Sequence, residues 1–352
     1  MRKLPIIEKK QKHIKMSSKS GELLTNDTAG VNRILPHKHK YAWDLFIKSC
    51  ANNWMPTEIS MQNDINQWKN DDITADEKLL VKRCLGFFAG SESLVGNNLL
   101  ISAFRFITDA ECRQYILRQA FEESLHNLTV VYICDSLDLD IEEVFNAYET
   151  IPSIKAKDDF LIEITTDISR QDFNPSSKAG KQEILRNLLT YYIVCEGTFF
   201  FSGFAMLLAL GRQNKLQGVS DQIKYTLRDE SSHIAFGTYL INTIIEQNPT
   251  IWTKSIQAEF VEHIKKAVDL EIAYAHDVLP TGILGLSADM FVDYMHYIGN
   301  RRLEGIGLDF RFPSDTNPFP WLGEVVDVQA MGNFFERRVR EYQQAGSLED
   351  DF

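Results

Sequence analysis

Between Leu188 and Leu210 the chain carries a single charged residue, Glu196, in an otherwise apolar run. A helix of that length is long enough to cross a bilayer, so two structures compete: a membrane span, or a helix enclosed on all sides by other helices. The run contains Thr190, Tyr191, Tyr192, Thr198 and Ser202, lacks flanking aromatic-plus-basic belts, and has no second apolar segment to partner it. It therefore reads as the central helix of a bundle, with no membrane partner. A lone ionised carboxylate inside such a bundle costs several kcal/mol unless a cation meets it.

Helical periodicity dominates from about Lys40 onward and strand-like alternation is scarce, so the expected fold class is all-α. Helices are predicted over His39 to Cys50, from Ala75 (behind the cap-like Thr74) through Arg105, and from Asp109 to Leu137. Shorter helices fill 141–169, and a loop rich in Asp, Asn, Pro, Ser and Gly follows at 170–179. Long helices are predicted from Lys181 to about Leu210, ended by Gly211, and from Ser220 to about Gln247, stopped by Asn248-Pro249. Others are placed at about 252–279 and 287–304, with 311–330 extended and 331–345 a short amphipathic helix before an acidic tail. The expected division is a flexible tail over 1–35, one metal-binding helical domain over 36–330, and a carboxy-terminal helix and docking tail over 331–352.

A hydrophobic share of 44% with 24% charged residues fits a soluble globular chain and excludes disorder throughout. The net charge of −12 opposes the field of a polyphosphate, so no nucleic-acid partner is expected. Only the first twenty residues are basic, through Arg2, Lys3, Lys9, Lys10, Lys12, Lys15 and Lys19, and they lack the apolar run of a signal peptide. Cys50, Cys84, Cys112, Cys134 and Cys195 are widely spaced without a CxxC pair, which reads as reduced thiols in a cytoplasmic protein.

Of the eight histidines, only His126 and His233 have a glutamate three residues earlier, Glu123 and Glu230. Positions i and i+3 share a helix face, so each pair can present a carboxylate and an imidazole to one point. Glu92 and Glu196 are solitary charges on apolar stretches with no nearby Lys or Arg in their own helices. The order also repeats, a lone glutamate followed by Glu-x-x-His in each half, which describes a pseudo-two-fold bundle. One Glu from each of two helices plus Glu-x-x-His from each of the other two is the ligand pattern of ferritin-like di-iron and di-manganese proteins. Four carboxylates formally balance two divalent cations, and oxygen-rich ligation with two imidazoles suits iron or manganese. A lone core histidine or glutamate is usually structural, but six such residues in this repeated order outweigh that reading. Asp293 and His296 form an Asp-x-x-His without accompanying isolated acids and are assigned to structure. Phe199, Phe200, Phe201, Phe204 and Phe236 are expected in the core, where they would also keep water from the site.

Together, Ser91-Glu-Ser-Leu-Val-Gly-Asn-Asn98, Arg118-Gln-Ala-Phe-Glu-Glu-Ser-Leu-His126, Tyr191-Tyr-Ile-Val-Cys-Glu-Gly197 and Arg228-Asp-Glu-Ser-Ser-His233 resemble the small, radical-generating subunit of class I ribonucleotide reductase over nearly the whole chain from about Pro36. The resemblance implies that Glu92, Glu123 and His126 bind one metal, and Glu196, Glu230 and His233 the other, with carboxylates bridging. It further implies O2 activation, a stored oxidising equivalent delivered to a cysteine of a large subunit, a homodimer, and docking through the carboxy-terminal tail. Trp54 matches the family's tryptophan, linked to the ligand His126 through Asp229; Tyr342 matches the tail tyrosine at the subunit interface. Tyr225 resembles a residue that aids electron delivery during activation.

Common family members carry a radical-forming tyrosine four residues after the first ligand histidine, and here that position is Val130. The chain thus resembles the tyrosine-free subclass Ic, in which a manganese–iron cluster itself holds the oxidising equivalent, although typical members of that subclass have Phe there. Mn/Fe is the expected pair, with Fe/Fe and Mn/Mn left open, and Tyr132, Tyr191 and Tyr225 are alternative radical hosts. A rival reading is a ligand-binding dimetal oxidase of the same fold with a Val95–Tyr191 crosslink; Tyr342 and the acidic end of the chain weigh against it. Iron storage or a helical scaffold would leave Trp54, Asp229 and Tyr342 idle.

Overall fold

The computed structural model describes residues 22–24, 32–70, 72–98, 100 and 103–323, without the side chains of 94–96 and 98. The longer helices are α1 (Lys40–Ala51), α2 (Gln62–Lys69), α3 (Ala75–Asn98), α4 (Ala110–Leu137), α5 (Pro152–Ile164), α6 (Lys178–Arg212), α7 (Gln217–Gln247), α8 (Lys254–Val278) and α9 (Met290–Gly305). Among the described residues the only strand-like pairing is the bridge between Ile283 and Leu286, so the all-α expectation holds.

Helix starts follow local chemistry. Thr74 and Glu77 exchange side-chain-to-backbone bonds in a capping box at α3, Asp109 accepts from the amides of Glu111 and Cys112 at α4, and Ser177 and Thr253 cap α6 and α8. Beyond Asn98 the described Leu100 and Ala103 are in π-helical turns and Phe104–Phe106 is an α-helical turn, so the described residues are helical up to the neighbourhood of Arg105, where the sequence reading places the end. Other boundaries differ from the sequence reading. Gly211 does not stop α6, which runs on to Arg212; a Cβ there would lie 2.0 Å from Ser220 Oγ, so the glycine serves the close approach of α6 to α7. The α7 helix begins at Gln217 instead of Ser220, after Leu216 in a left-handed conformation. The predicted helix at 331–345, Tyr342 and the acidic tail lie outside the described residues.

The apolar α6 is long and apolar enough to cross a membrane, but 94% of its apolar window is buried inside the protein. Helices α3, α7, α8 and α9 pack around it. From Thr190 to Phe199 its backbone widens into π-helical turns, a feature the periodic pattern did not announce. Such widening is common at functional sites, because the extra residue per turn re-aims side chains. The Gly197 carbonyl is met by the Nε–H of the half-buried Arg302, and Thr198 Oγ donates to the Ile193 carbonyl at 2.8 Å.

A second polar feature lies in the core. Lys157 of α5 is fully buried, pairs with Glu271 of α8, and sits over the rings of Phe87 and Tyr274, 3.2 and 4.2 Å from their centroids. Cys84, Cys112, Cys134 and Cys195 are buried free thiols, and Cys50 is an exposed one.

Candidate metal centre

Four helices deliver six side chains to one buried point: Glu92 from α3, Glu123 and His126 from α4, Glu196 from the π-helical part of α6, and Glu230 and His233 from α7. Each is at most 1% exposed. Their ligand atoms form two sets close enough to hold metal ions, Glu92–Glu123–His126–Glu230 and Glu123–Glu196–His233. The two sets share Glu123, and Glu230 falls with the first.

The two central carboxylates are arranged almost symmetrically. Glu123 reaches His126 Nδ1 at 3.4 Å with one oxygen and His233 Nδ1 at 3.1 Å with the other. Glu230 does the same, at 3.1 Å from His126 Nδ1 and 3.4 Å from His233 Nδ1. Glu92 lies outermost beside His126, at 3.5 Å. Glu196 occupies the other end and accepts from Gln119 Nε2 at 2.9 Å, whose own oxygen accepts from the Tyr192 hydroxyl at 3.0 Å. The imidazole centroids are 5.9 Å apart.

These groups fit a pair of cations. Glu92 Oε2, Glu123 Oε2, Glu196 Oε2, both oxygens of Glu230, and the Nδ1 atoms of His126 and His233 are buried with no aligned hydrogen-bond partner. Among the described residues, no Lys or Arg forms an ion pair with any of the four glutamates. Buried lone pairs converging without donors are costly unless a metal accepts them. The electrostatics agree: burial, then the neighbouring Glu230 and Glu123, push Glu196 well above the usual carboxylate range, and burial does the same to Glu92. Burial would raise Glu123 too, but His233 and His126 pull it below the usual range.

Asp229 receives the indole N–H of Trp54 at 2.8 Å on Oδ2, which also lies 3.6 Å from His126 Nε2. Its Oδ1 accepts two bonds from Arg228, at 3.1 and 2.9 Å. Tyr225 stacks on Trp54 with centroids 5.1 Å apart. The structure brings Trp54, Tyr225 and Asp229 together on the outer side of His126. Val130 is buried one helical turn beyond His126 on α4. Tyr191 bonds Thr165 at 3.2 Å and Tyr132 donates to the Ile59 carbonyl at 3.1 Å. The Val95 side chain lies outside the described residues. His296 stacks on Phe312 and, among the described residues, joins no group that could hold a metal. Phe199, Phe200, Phe204 and Phe236 are fully buried, whereas Phe201 is partly exposed.

Sequence reasoning missed Gln119 and Glu122. Both lie in the quoted α4 motif, but neither is an isolated charge, and only the crossing of α4 with α6 and α7 gives them partners.

A helical bundle whose core is a carboxylate–imidazole cluster able to hold two metal ions defines a ferritin-like dimetal-carboxylate protein. Solved structures agree on the fold. The ribonucleotide reductase R2 subunit from Clostridium botulinum superposes with a TM-score of 0.78 at 25% identity, covering 89% of this chain and 98% of that one. Streptococcus sanguinis dimanganese(II)-NrdF superposes with a TM-score of 0.68 at 21% identity, covering 82% and 96%. The sequence model of the family described as Ribonucleotide reductase, small chain, matches residues 31–318, and the Chlamydia pneumoniae ribonucleoside-diphosphate reductase subunit beta is 50% identical over 343 residues, 97% of this chain and 98% of its relative. The chain belongs to the ribonucleotide reductase small-chain family.

Proposed function

We propose that this chain is the small subunit of a cytoplasmic class I ribonucleoside-diphosphate reductase and works as a homodimer with a large subunit that binds the nucleotide. The carrying observation is the convergence of Glu92, Glu123, His126, Glu196, Glu230 and His233 on one buried point that Asp229 joins to Trp54. When bound, the metal pair supplies O2 activation and holds the oxidising equivalent that the large subunit's cysteine needs. The chain's own residues do the rest. Glu123 and Glu230, each beside both imidazoles, would hold the pair together with Glu92, Glu196, His126 and His233, and the buried phenylalanines exclude water. Asp229 orients His126 and ties it to the Trp54 indole, which with Tyr342 forms the outward route, and Tyr225, stacked on that indole, serves electron delivery.

Val130 offers no phenol, which supports the tyrosine-free subclass and a Mn/Fe pair, with Fe/Fe or Mn/Mn as the outcomes that elemental analysis and anomalous scattering would distinguish. The domain division 1–35, 36–330 and 331–352 belongs to the same reading, with the last segment as the docking tail. A homodimer is supported by α4, where Leu117, Phe121, Leu128 and Val131 form an exposed apolar stripe at helical spacing. The test is nucleoside-diphosphate reduction on mixing the metal-loaded chain with a class I large subunit. Activity is expected, and it is expected to vanish when residues 342–352 are deleted; undiminished activity of the truncated chain would refute the docking role.

A further inference from the structure

Asp229 stands immediately before the ligand Glu230, and the first half of the chain repeats that arrangement with Glu122 immediately before Glu123. Each of these acids also stands four residues before the histidine of its own motif, close to the same helix face, yet the contact it makes is with the histidine of the other helix. Asp229 of α7 approaches His126 of α4, and Glu122 of α4 accepts at 3.0 Å from His233 Nε2 of α7.

The parallel extends outward. Arg228 donates to Asp229 and, through Nη2, to the Asn52 carbonyl at 2.8 Å. Arg118 Nε donates to Glu122 Oε1 at 3.0 Å and its Nη1 to Asn53 Oδ1 at 2.9 Å. Two chains of the form arginine–carboxylate–imidazole thus leave the centre and end on neighbouring residues of the segment that carries Trp54. Glu122 is 1% exposed and both its oxygens are engaged.

We propose that Glu122 is the positioning residue for His233, the counterpart of Asp229 for His126. It rests on the metal-centre reading above. With its other oxygen held by a guanidinium, Glu122 is an acceptor only, so His233 must donate from Nε2 and present the Nδ1 lone pair to the metal side. This fixes both the tautomer and the ring plane of His233. The bond also pins the register of α4 against α7 across the centre, so Glu123 and Glu230 stay in step.

The test titrates the full-length, metal-free chain with Mn(II) under anaerobic conditions, reading free Mn(II) by electron resonance, for the unmodified protein and for Glu122→Ala, Glu122→Gln and His233→Ala. The unmodified chain is expected to take up two ions. Glu122→Ala is expected to weaken one of them about 10- to 100-fold, the usual effect of removing a partner that orients a ligand, and to leave the other unchanged. Combined with His233→Ala it should weaken that ion no further, which a general packing defect would not reproduce. Glu122→Gln keeps a carbonyl acceptor and should weaken the same ion by a smaller factor, a measurement that stands even if the alanine variant does not fold. Unmodified binding of both ions in the glutamine variant together with the alanine variant, or equal weakening of both ions, would overturn the role of Glu122. Fewer than two ions on the unmodified chain would instead overturn the metal-centre reading.

Discussion

Replacing Trp54 with Phe separates a radical-route residue from a structural prop. The indole N–H makes a buried bond of 2.8 Å to the Asp229 carboxylate, and a hydrogen bond to a charged group contributes about 1.5–3 kcal/mol. The smaller ring leaves a residual cavity, so the total loss of stability is expected at about 2–4 kcal/mol, read as a lower denaturation midpoint with an unchanged slope. Asp229 keeps both Arg228 bonds and its approach to His126, so the variant is expected to retain two metal ions per chain. Nucleotide reduction with the large subunit should nevertheless fall to background, because phenylalanine supplies neither the oxidisable indole nor its N–H. Three measurements are compared: metal content by elemental analysis, the urea midpoint, and turnover on mixing with the large subunit. Turnover close to that of the unmodified chain would refute the route through Trp54. Loss of one metal ion together with activity would show instead that Trp54 acts only by holding Asp229.

Gly237→Ala should fail for a packing reason, since its Cβ would lie 2.1 Å from Tyr192 Cγ; overpacking costs about 1–3 kcal/mol, and a displaced Tyr192 would release Gln119 from Glu196. A midpoint and Mn(II) isotherm equal to those of the unmodified protein would show that the approach of α7 to α6 is looser than described. Asp158→Asn should alter pH dependence. Burial raises the Asp158 carboxyl to about 6 against the pull of Lys157, while the unfolded chain titrates near the ordinary 3.8. Below about pH 4 the group is protonated in both states and costs nothing; between about pH 4 and 6 the unfolded state loses its proton first, so stability falls by about 3 kcal/mol across that window. The asparagine variant lacks that fall, and a difference in unfolding free energy that is the same at pH 4 and pH 7.5 would refute the assignment.

The carboxylate–imidazole cluster was legible in the amino-acid order because two local rules apply without any knowledge of packing. Helix geometry puts Glu123 with His126, and Glu230 with His233, on common faces, and the cost of burying Glu92 and Glu196 alone demands a cation. The all-α class and most helix starts were legible for the same kind of reason, since caps such as Thr74 and Asp109 act within one turn. The stopping role of Gly211 was misread because a glycine at a close helix crossing looks, in sequence, like a glycine at a helix end.

Only the tertiary structure could decide the rest. That Glu123 and Glu230 each reach both imidazoles, that Glu122 and Asp229 serve the opposite helix, that α6 opens into π-helical turns at Glu196, and that Lys157 finds Glu271 inside the core all depend on how helices distant in sequence cross. Periodicity states which face of a helix is buried. It does not state which neighbour that face meets or at what register, and the hydrogen bonds that orient a metal ligand are set by that register to within an ångström.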